Sequence, residues 1–283
     1  NSNINNIFNI LKIKKKIKHY SFNLLNKEKL KKISNNKFDI VLHLAAKPLV
    51  YEGVNEPDVY IKNNILSTLN MFKEINNAKL FINFTTDKVY KNNNNKNYSF
   101  KETDELNGED PYSYSKTCSD LLTKMWSKLN KKNNTKYCNI RSGNIIGGGD
   151  WNQKRIITDI INLIFLNKKI NVRNKYSTRP WVHVIEVCIC ISKLIYKIYG
   201  DKQNYSDWNI GPNKNDEKNI SWIINQSIKL SKKEYLKRKV VFLNKKQFHE
   251  KNHLKLNNNK IKKKINFSFK LKFYERLKLT IDW

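Results

Sequence analysis

Short apolar runs alternate with longer amphipathic stretches along the first half of the chain, and that alternation predicts a parallel α/β sheet. "FDIVLHLAA" (38–46) and "KLFINFTT" (79–86) are near-continuous apolar runs that end in small or polar residues, as strands buried on both faces do. Between them, residues 57–77 begin at Pro57 and carry Ile61, Ile65, Leu69 and Phe72 at helical spacing. A second helix is expected over 111–129, again opened by a proline, with Leu121, Leu122, Met125 and Leu129 on one face. "KYCNIRSGN" (136–144) reads as a third strand, and "IIGGGDW" (145–151) follows as an abrupt cluster in a chain that has only eight Gly. From 152 onward the pattern is less regular, and 237–272 is dense in Lys and Asn, which points to a smaller α/β lobe after the sheet. "NNNNKN" (92–97) and "NNNKIKKK" (257–264) read as surface loops or turns.

In open parallel sheets, ligands sit outside the carboxyl ends of the strands. "HLAAKP" (43–48), "TTDK" (85–88) and "RSGN" (141–144) all fall at such ends, and "DPYSYSK" (110–116) opens a helix beside them. Tyr112 and Lys116 in that last stretch stand four apart, a spacing of little weight by itself. Chance predicts about two Tyr-x-x-x-Lys pairs in so lysine-rich a chain, and three occur, at Tyr112, Tyr235 and Tyr274. Only Tyr112 has the other strand-end segments for company.

Composition narrows the setting. A chain of 283 residues with 39% hydrophobic residues can bury a sizeable core. No apolar run reaches the length of a membrane span and no leader-like stretch opens the sequence, so a soluble, cytoplasmic protein is expected. The four Cys, at 118, 138, 188 and 190, form no zinc-knuckle pattern and are expected to be reduced packing residues, with no metal. The formal charge of +31 invites a nucleic-acid reading, but the excess is nearly all Lys, spread evenly and mixed with Asn and Ile, as in AT-rich coding. Incidental polyanion affinity is expected rather than a specific nucleic-acid partner. Arginine tells more: four of the six, at 141, 155, 173 and 179, crowd into 39 residues, where a planar fork suits a diphosphate better than Lys does.

Taken in order, "HLAAKPLV" (43–50), "EPDVYIKNNILST" (56–68), "TTDKVY" (85–90), "DPYSYSK" (110–116), "RSGNIIGGGDW" (141–151), "RPWVHVIE" (179–186), "WNIGP" (208–212), "HEKNHLKL" (249–256) and "TIDW" (280–283) resemble the extended short-chain dehydrogenase/reductases, most closely the CDP-glucose 4,6-dehydratase family. The resemblance implies a Rossmann-like doubly wound sheet over residues 1–150 and a smaller substrate lobe, mainly 151–283, with segments returning to the sheet. It implies a lyase that oxidises C4 of a nucleotide-linked glucose with bound NAD, eliminates water across C5–C6 and returns the hydride to C6, in deoxysugar and surface-polysaccharide biosynthesis. Tyr112 would be the C4 base, with Lys116 holding the nicotinamide ribose and its ammonium favouring the phenolate. Thr86 would bond the O4 hydroxyl, Asp87 would protonate the departing O6, and Lys88 would take the C5 proton. Leu44, Ala45, Ala46, Lys47 and Asn64 match positions beside the cofactor, and Asn23 matches an adenine-contacting position in a strand. Asn144, Arg155, Arg173 and Arg179 are expected on the sugar or diphosphate, and a homodimer is expected through the helices at 57–77 and 111–129. His43, Trp181, Trp208 and Trp283 take the plainer reading of packing or lobe-contact residues.

One departure bears on the cofactor. The first Gly is Gly53, so no glycine-rich turn precedes it to let backbone N–H groups approach a pyrophosphate, and the sheet is expected to be N-terminally truncated with an exposed edge. Two readings compete: a fragment of a longer gene product, or a degraded relative that no longer binds NAD. Other nucleotide-sugar dehydratases or epimerases of the superfamily are the near alternatives, since Asp-Lys at 87–88 also occurs outside the CDP-glucose type. A basic binding module without catalysis is the alternative of another class.

Overall fold

A computed structural model describes residues 7–92, 95–130, 134–152, 154–213, 216–243 and 253–283. Parts of "NNNNKN" and of "HEKNHLKL" therefore lie outside the described residues. The elements run α1 (Ile7–Ile10), α2 (Lys27–Ser34), β1 (Ile40–His43), α3 (Val50–Asn55), α4 (Pro57–Ile61), a π turn (Lys62–Leu66), α5 (Ser67–Glu74), β2 (Leu80–Thr86), α6 (Pro111–Leu129), β3 (Lys136–Ser142) and β4 (Asn144–Ile146). They continue through α7 (Ile156–Leu166), β5 (Ile170–Val172), β6 (Thr178–Arg179), β7 (Trp181–His183), α8 (Val184–Tyr199), β8 (Tyr205–Ile210), β9 (Lys218–Asn219), α9 (Ile220–Leu230), β10 (Val240–Phe242), α10 (Asn259–Ile265) and α11 (Phe273–Asp282).

The main sheet is parallel throughout, in the order β1-β2-β3-β8, with Ile40 beside Leu80, Leu80 beside Lys136 and Tyr137 beside Tyr205. Among the described residues β1 is an edge strand, and its Leu42 is exposed. Helices cover both faces. Ile82, Cys138, Ile140, Trp208 and Ile210 point to α8 and α10, where Val187, Cys190, Leu194 and Ile261 complete a core. On the other face Val41, Phe81 and Tyr137 meet Phe72 of α5 and Leu122 and Trp126 of α6. A separate core joins α7, α9 and α11 to β5 and β7 through Leu163, Ile223, Trp181 and Leu277.

Several expectations need correction. The helix over 57–77 ends at Glu74 and is interrupted by the π turn, which brings Asn64 inward. "NNNKIKKK" is not a surface loop: most of it forms α10, because Ile261 is drawn into the main core while the lysines stay outside. Asn23 lies in no strand; it is exposed, and its carboxamide accepts from the Leu25 N–H at 2.9 Å, which makes a turn ahead of α2. The cysteines are all free, but only Cys138 and Cys190 are core residues; Cys188 is exposed because α8 turns it away from the sheet. Trp181 and Trp208 are buried, while Trp283 is half exposed and lies against Gly148 and Trp151.

Candidate active site

At the carboxyl edge, β2 ends in Thr86 and turns at once into a short 3-10 helix, Asp87–Val89. Thr86 makes that turn possible: its hydroxyl oxygen accepts from the Lys88 N–H at 3.3 Å, and the hydroxyl donates to Asp87 Oδ1 at 3.0 Å. Thr86 and Asp87 are buried and Lys88 is half-buried. Helix α6 starts where its sequence says it should. Asp110 is the N-cap, accepting from the Ser113 N–H at 2.9 Å, and Pro111 opens the first turn, so Tyr112 sits at the mouth of the helix. Thr86 lies close enough to the Tyr112 phenol to act on its ionisation, which places Tyr112 beside the β2 turn. Of the three Tyr-x-x-x-Lys pairs, only this one meets the sheet edge; Tyr235 and Tyr274 are exposed.

Burial dominates the ionisation of both partners. Tyr112 is pushed up to about 12 by burial, helped by Asp87 and Asp110 and opposed by the Thr86 hydroxyl and the Arg155 guanidinium. Lys116 is pushed down to about 8 by burial, opposed by Asp120 one helical turn along. Arg155 acts on the Tyr112 phenol, and Lys116 faces Asp120 and His43. His43 is driven down to about 3 by burial and by Lys116, and its Nε2 is 3.0 Å from Thr68 Oγ1, which makes it the neutral packing histidine expected.

Asn64, 1% exposed, acts as a clamp. Its Oδ1 accepts from the Lys47 N–H at 2.7 Å, and its Nδ2 donates to the Lys47 carbonyl at 3.1 Å and to Ser115 Oγ at 2.8 Å. The π turn aims it there, and the result fastens the strand-end segment 44–47 to the helix that carries Tyr112 and Lys116. Leu44, Ala45 and Ala46 of that segment are exposed and Lys47 half-buried.

Beneath Lys116 lies a polar network that the strand runs conceal. Asn83, Thr85, Asn139 and Arg141 all point to α6. Arg141 grips Asp120 with Nε at 2.9 Å and Nη2 at 2.7 Å, reaches Asp207 at 3.1 Å and donates to Tyr90. Arg141 therefore spends its fork on carboxylates inside the protein, not on a diphosphate, and Arg276, outside the crowded stretch, does the same with Glu186 and Asp216. Retention of Arg in a lysine-rich chain marks buried ion pairs as well as ligand sites. Asp120 was legible in principle, four residues after Lys116 on a helix, but that spacing alone carries no more weight than Tyr-x-x-x-Lys.

The expected substrate residues spread along the far side. Asn144, half-buried, opens β4 opposite Trp181; Arg155 precedes α7 and pairs with Asp150 at 2.8 Å; Arg173 follows β5; and Arg179 is buried in β6 near His253. Arg155 is within electrostatic reach of Tyr112, and Arg173 packs over Tyr51 of α3, whose Gly53 lies against Tyr112. These contacts bring Arg155 and Arg173 to the Tyr112 side of the carboxyl edge. Arg179 lies beside the segment at 253–254 that bridges to β6.

For NAD, which the family implies, the residues fit at one end only. Tyr112, Lys116 and the segment fastened by Asn64 suit the nicotinamide ribose. No glycine offers a phosphate cradle. Apart from Gly200, which caps α8, each has protein atoms in the space of its missing Cβ: the "GGG" run is filled by Val184, Trp283 and Ile7, and a Cβ on Gly148 would lie 2.1 Å from the Trp283 ring.

A parallel sheet with a Tyr-x-x-x-Lys helix and a Thr-Asp-Lys turn at its carboxyl edge defines a Rossmann-like short-chain dehydrogenase/reductase of the epimerase and dehydratase class, and solved structures agree on the fold. The NAD complex of dTDP-glucose 4,6-dehydratase from Bacillus anthracis superposes with a TM-score of 0.80 at 21% identity, over 98% of this chain and 83% of that one. The chain belongs to the GDP-mannose 4,6-dehydratase family, whose model it matches over residues 1–280. It is 32% identical to the CDP-glucose 4,6-dehydratase of Salmonella typhimurium, over 79% of this chain, and 33% identical to the dTDP-D-glucose 4,6-dehydratase of Dictyostelium discoideum, over 69%. The chain spans 65% and 47% of the lengths of these two relatives.

Proposed function

We propose that the protein is a nucleotide-sugar 4,6-dehydratase acting on CDP-D-glucose, forming CDP-4-dehydro-6-deoxy-D-glucose and water. The observation that carries this reading is the Thr86–Asp87–Lys88 turn, with Thr86 beside Tyr112 at the carboxyl edge of the sheet. Tyr112, Lys116 and the segment 44–47 would hold the nicotinamide end of NAD, which would supply a hydride acceptor for C4 and a hydride donor for C6. The residues of the chain do the rest. Tyr112 holds or accepts the C4 hydroxyl proton, with Arg155 easing its loss; Thr86 orients that hydroxyl. A C4 ketone acidifies the C5 proton, which Lys88 takes while buried Asp87 delivers a proton to the departing C6 oxygen, and Lys88 then gives a proton back to C5 as the hydride reaches C6. An acid and a base side by side on one turn suit elimination across adjacent carbons, whereas an epimerase needs neither, and this favours dehydration over the epimerase alternative.

The cytidine preference rests on the relative from Salmonella typhimurium, on Lys88, and on the "GGGDW" and "RPWVHV" stretches. Calorimetric titration with CDP-glucose, dTDP-glucose, UDP-glucose and GDP-mannose tests it. CDP-glucose should bind tightest, and a tenfold preference for any other nucleotide would contradict the assignment. A homodimer is part of the proposal, supported by exposed apolar side chains on two neighbouring helical segments: Ile61 and Leu66 on one, Leu121, Met125 and Leu129 on the other. Light scattering of the purified chain should give twice the 33.7 kDa chain mass, and a strictly monomeric mass would remove this part.

A further inference from the structure

Three segments distant in sequence meet over one aromatic ring. Tyr51, on α3, is 42% exposed, and the Lys154 ammonium stands 4.6 Å from its ring centroid. The guanidinium carbon of Arg173 stands 5.9 Å from the same centroid. Lys154 reaches this place from a left-handed backbone, φ 62°, an unfavourable conformation for a residue with a Cβ. Arg155 follows it immediately and pairs with Asp150, while Asp159 acts on Arg173. A cation over an exposed ring gains only about 0.5–1 kcal/mol, a weak hold for two like charges that share one ring. An anion bridging both cations would turn their repulsion into attraction.

We propose that Tyr51 is a positioning residue of a diphosphate clamp: its ring gathers Lys154 and Arg173 so that both close on the two phosphates of a nucleoside-diphosphate sugar. The inference rests on the reading of the protein as a nucleotide-sugar enzyme. It adds Tyr51 and Lys154, neither of which any spacing in the sequence singles out, because the three partners come from different segments. The place is right for that ligand. Two residues beyond Tyr51, Gly53 lies against the Tyr112 backbone, and Arg155, next to Lys154, acts on the Tyr112 phenol, so the clamp borders the proposed C4 chemistry. A diphosphate held there leaves its sugar beside Tyr112 and Thr86.

Titrating the 283-residue chain with CDP, dTDP, UDP and GDP by calorimetry tests this, comparing wild type with Tyr51→Phe, Tyr51→Leu and Lys154→Met. The ring, not the hydroxyl, does the gathering, so Tyr51→Phe should bind the preferred nucleotide within about twofold of wild type, while Tyr51→Leu and Lys154→Met should each weaken it by about fivefold. Melting temperatures should stay together, since Tyr51 and Lys154 are not core residues. Wild-type affinity in Tyr51→Leu, or a loss in Tyr51→Phe equal to that in Tyr51→Leu, overturns the clamp and leaves the function standing. Failure of the wild-type chain to bind any of the four at about 10 mM overturns both.

Discussion

Replacing Lys116 by Met removes a buried ammonium and keeps most of its volume, and the structure says what that does to stability. Lys116 is 3% exposed, and burial outweighs the help of Asp120, bringing its pKa to about 8 from the ordinary 10.5. A depression of that size, at about 1.4 kcal/mol per unit, means the charged form is destabilised by about 3 kcal/mol in the folded state. The direction with pH follows. Below pH 8 both folded and unfolded chains carry the proton, so the full penalty applies and does not vary. Between pH 8 and 10.5 the unfolded chain holds the proton that the folded chain has released, so stability rises with pH. Above 10.5 the penalty is gone. Urea denaturation of wild type and Lys116→Met across pH 6 to 11 isolates this group, because the other titrations cancel in the difference. The variant should be more stable by up to about 3 kcal/mol at neutral pH, with the gap closing as pH passes from 8 to 10.5. Parallel profiles, or a variant that is less stable throughout, would refute the burial argument. A gap that closes would show stability given up to place an amine at the sheet edge.

Other outcomes follow from neighbouring contacts. Arg141→Met should destabilise the chain by about 3–5 kcal/mol in urea denaturation, because it strands buried Asp120, and adding Asp120→Leu should recover part of the loss. Gly148→Ala drives a methyl into the Trp283 ring and should cost about 1–3 kcal/mol, relieved when Trp283 is also changed to Ala. Asn64→Ala leaves the Lys47 backbone groups and Ser115 without their shared partner and should cost about 1–3 kcal/mol by thermal denaturation. Calorimetry with NAD should give only weak affinity for the 283-residue chain, above about 1 mM, and micromolar affinity would show that the pyrophosphate finds a cradle the glycines do not offer.

Strands β1, β2 and β3 were legible because they are written as near-continuous apolar runs, and α6 was legible to the residue because Asp110 and Pro111 mark its start, whereas β8 and α8 lie in the stretch whose pattern is less regular. The convergence of Thr86, Asp87 and Tyr112 followed from the rule that parallel sheets present their carboxyl ends together. What escaped is what tertiary context decides. The π turn at 62–66 has no sequence signature, yet it aims Asn64. Ile261 holds α10 in the core against a local composition that reads as a loop. The ionisation of Tyr112 and Lys116 depends on burial and on neighbours such as Arg155 and Asp120, none of which the Tyr-x-x-x-Lys spacing reports. Arg141 was singled out for the right reason, the need for a planar fork, but that fork meets Asp120 and Asp207.

The central claim, dehydration on the Thr86–Asp87–Lys88 turn beside Tyr112, is tested most directly by mass spectrometry of CDP-glucose incubated in deuterium oxide with the protein and NAD well above the millimolar range. The product should be lighter by one water and carry deuterium at C5, with both changes lost in Asp87→Asn. An isomer of unchanged mass, or a water lost equally well by Asp87→Asn, would contradict it.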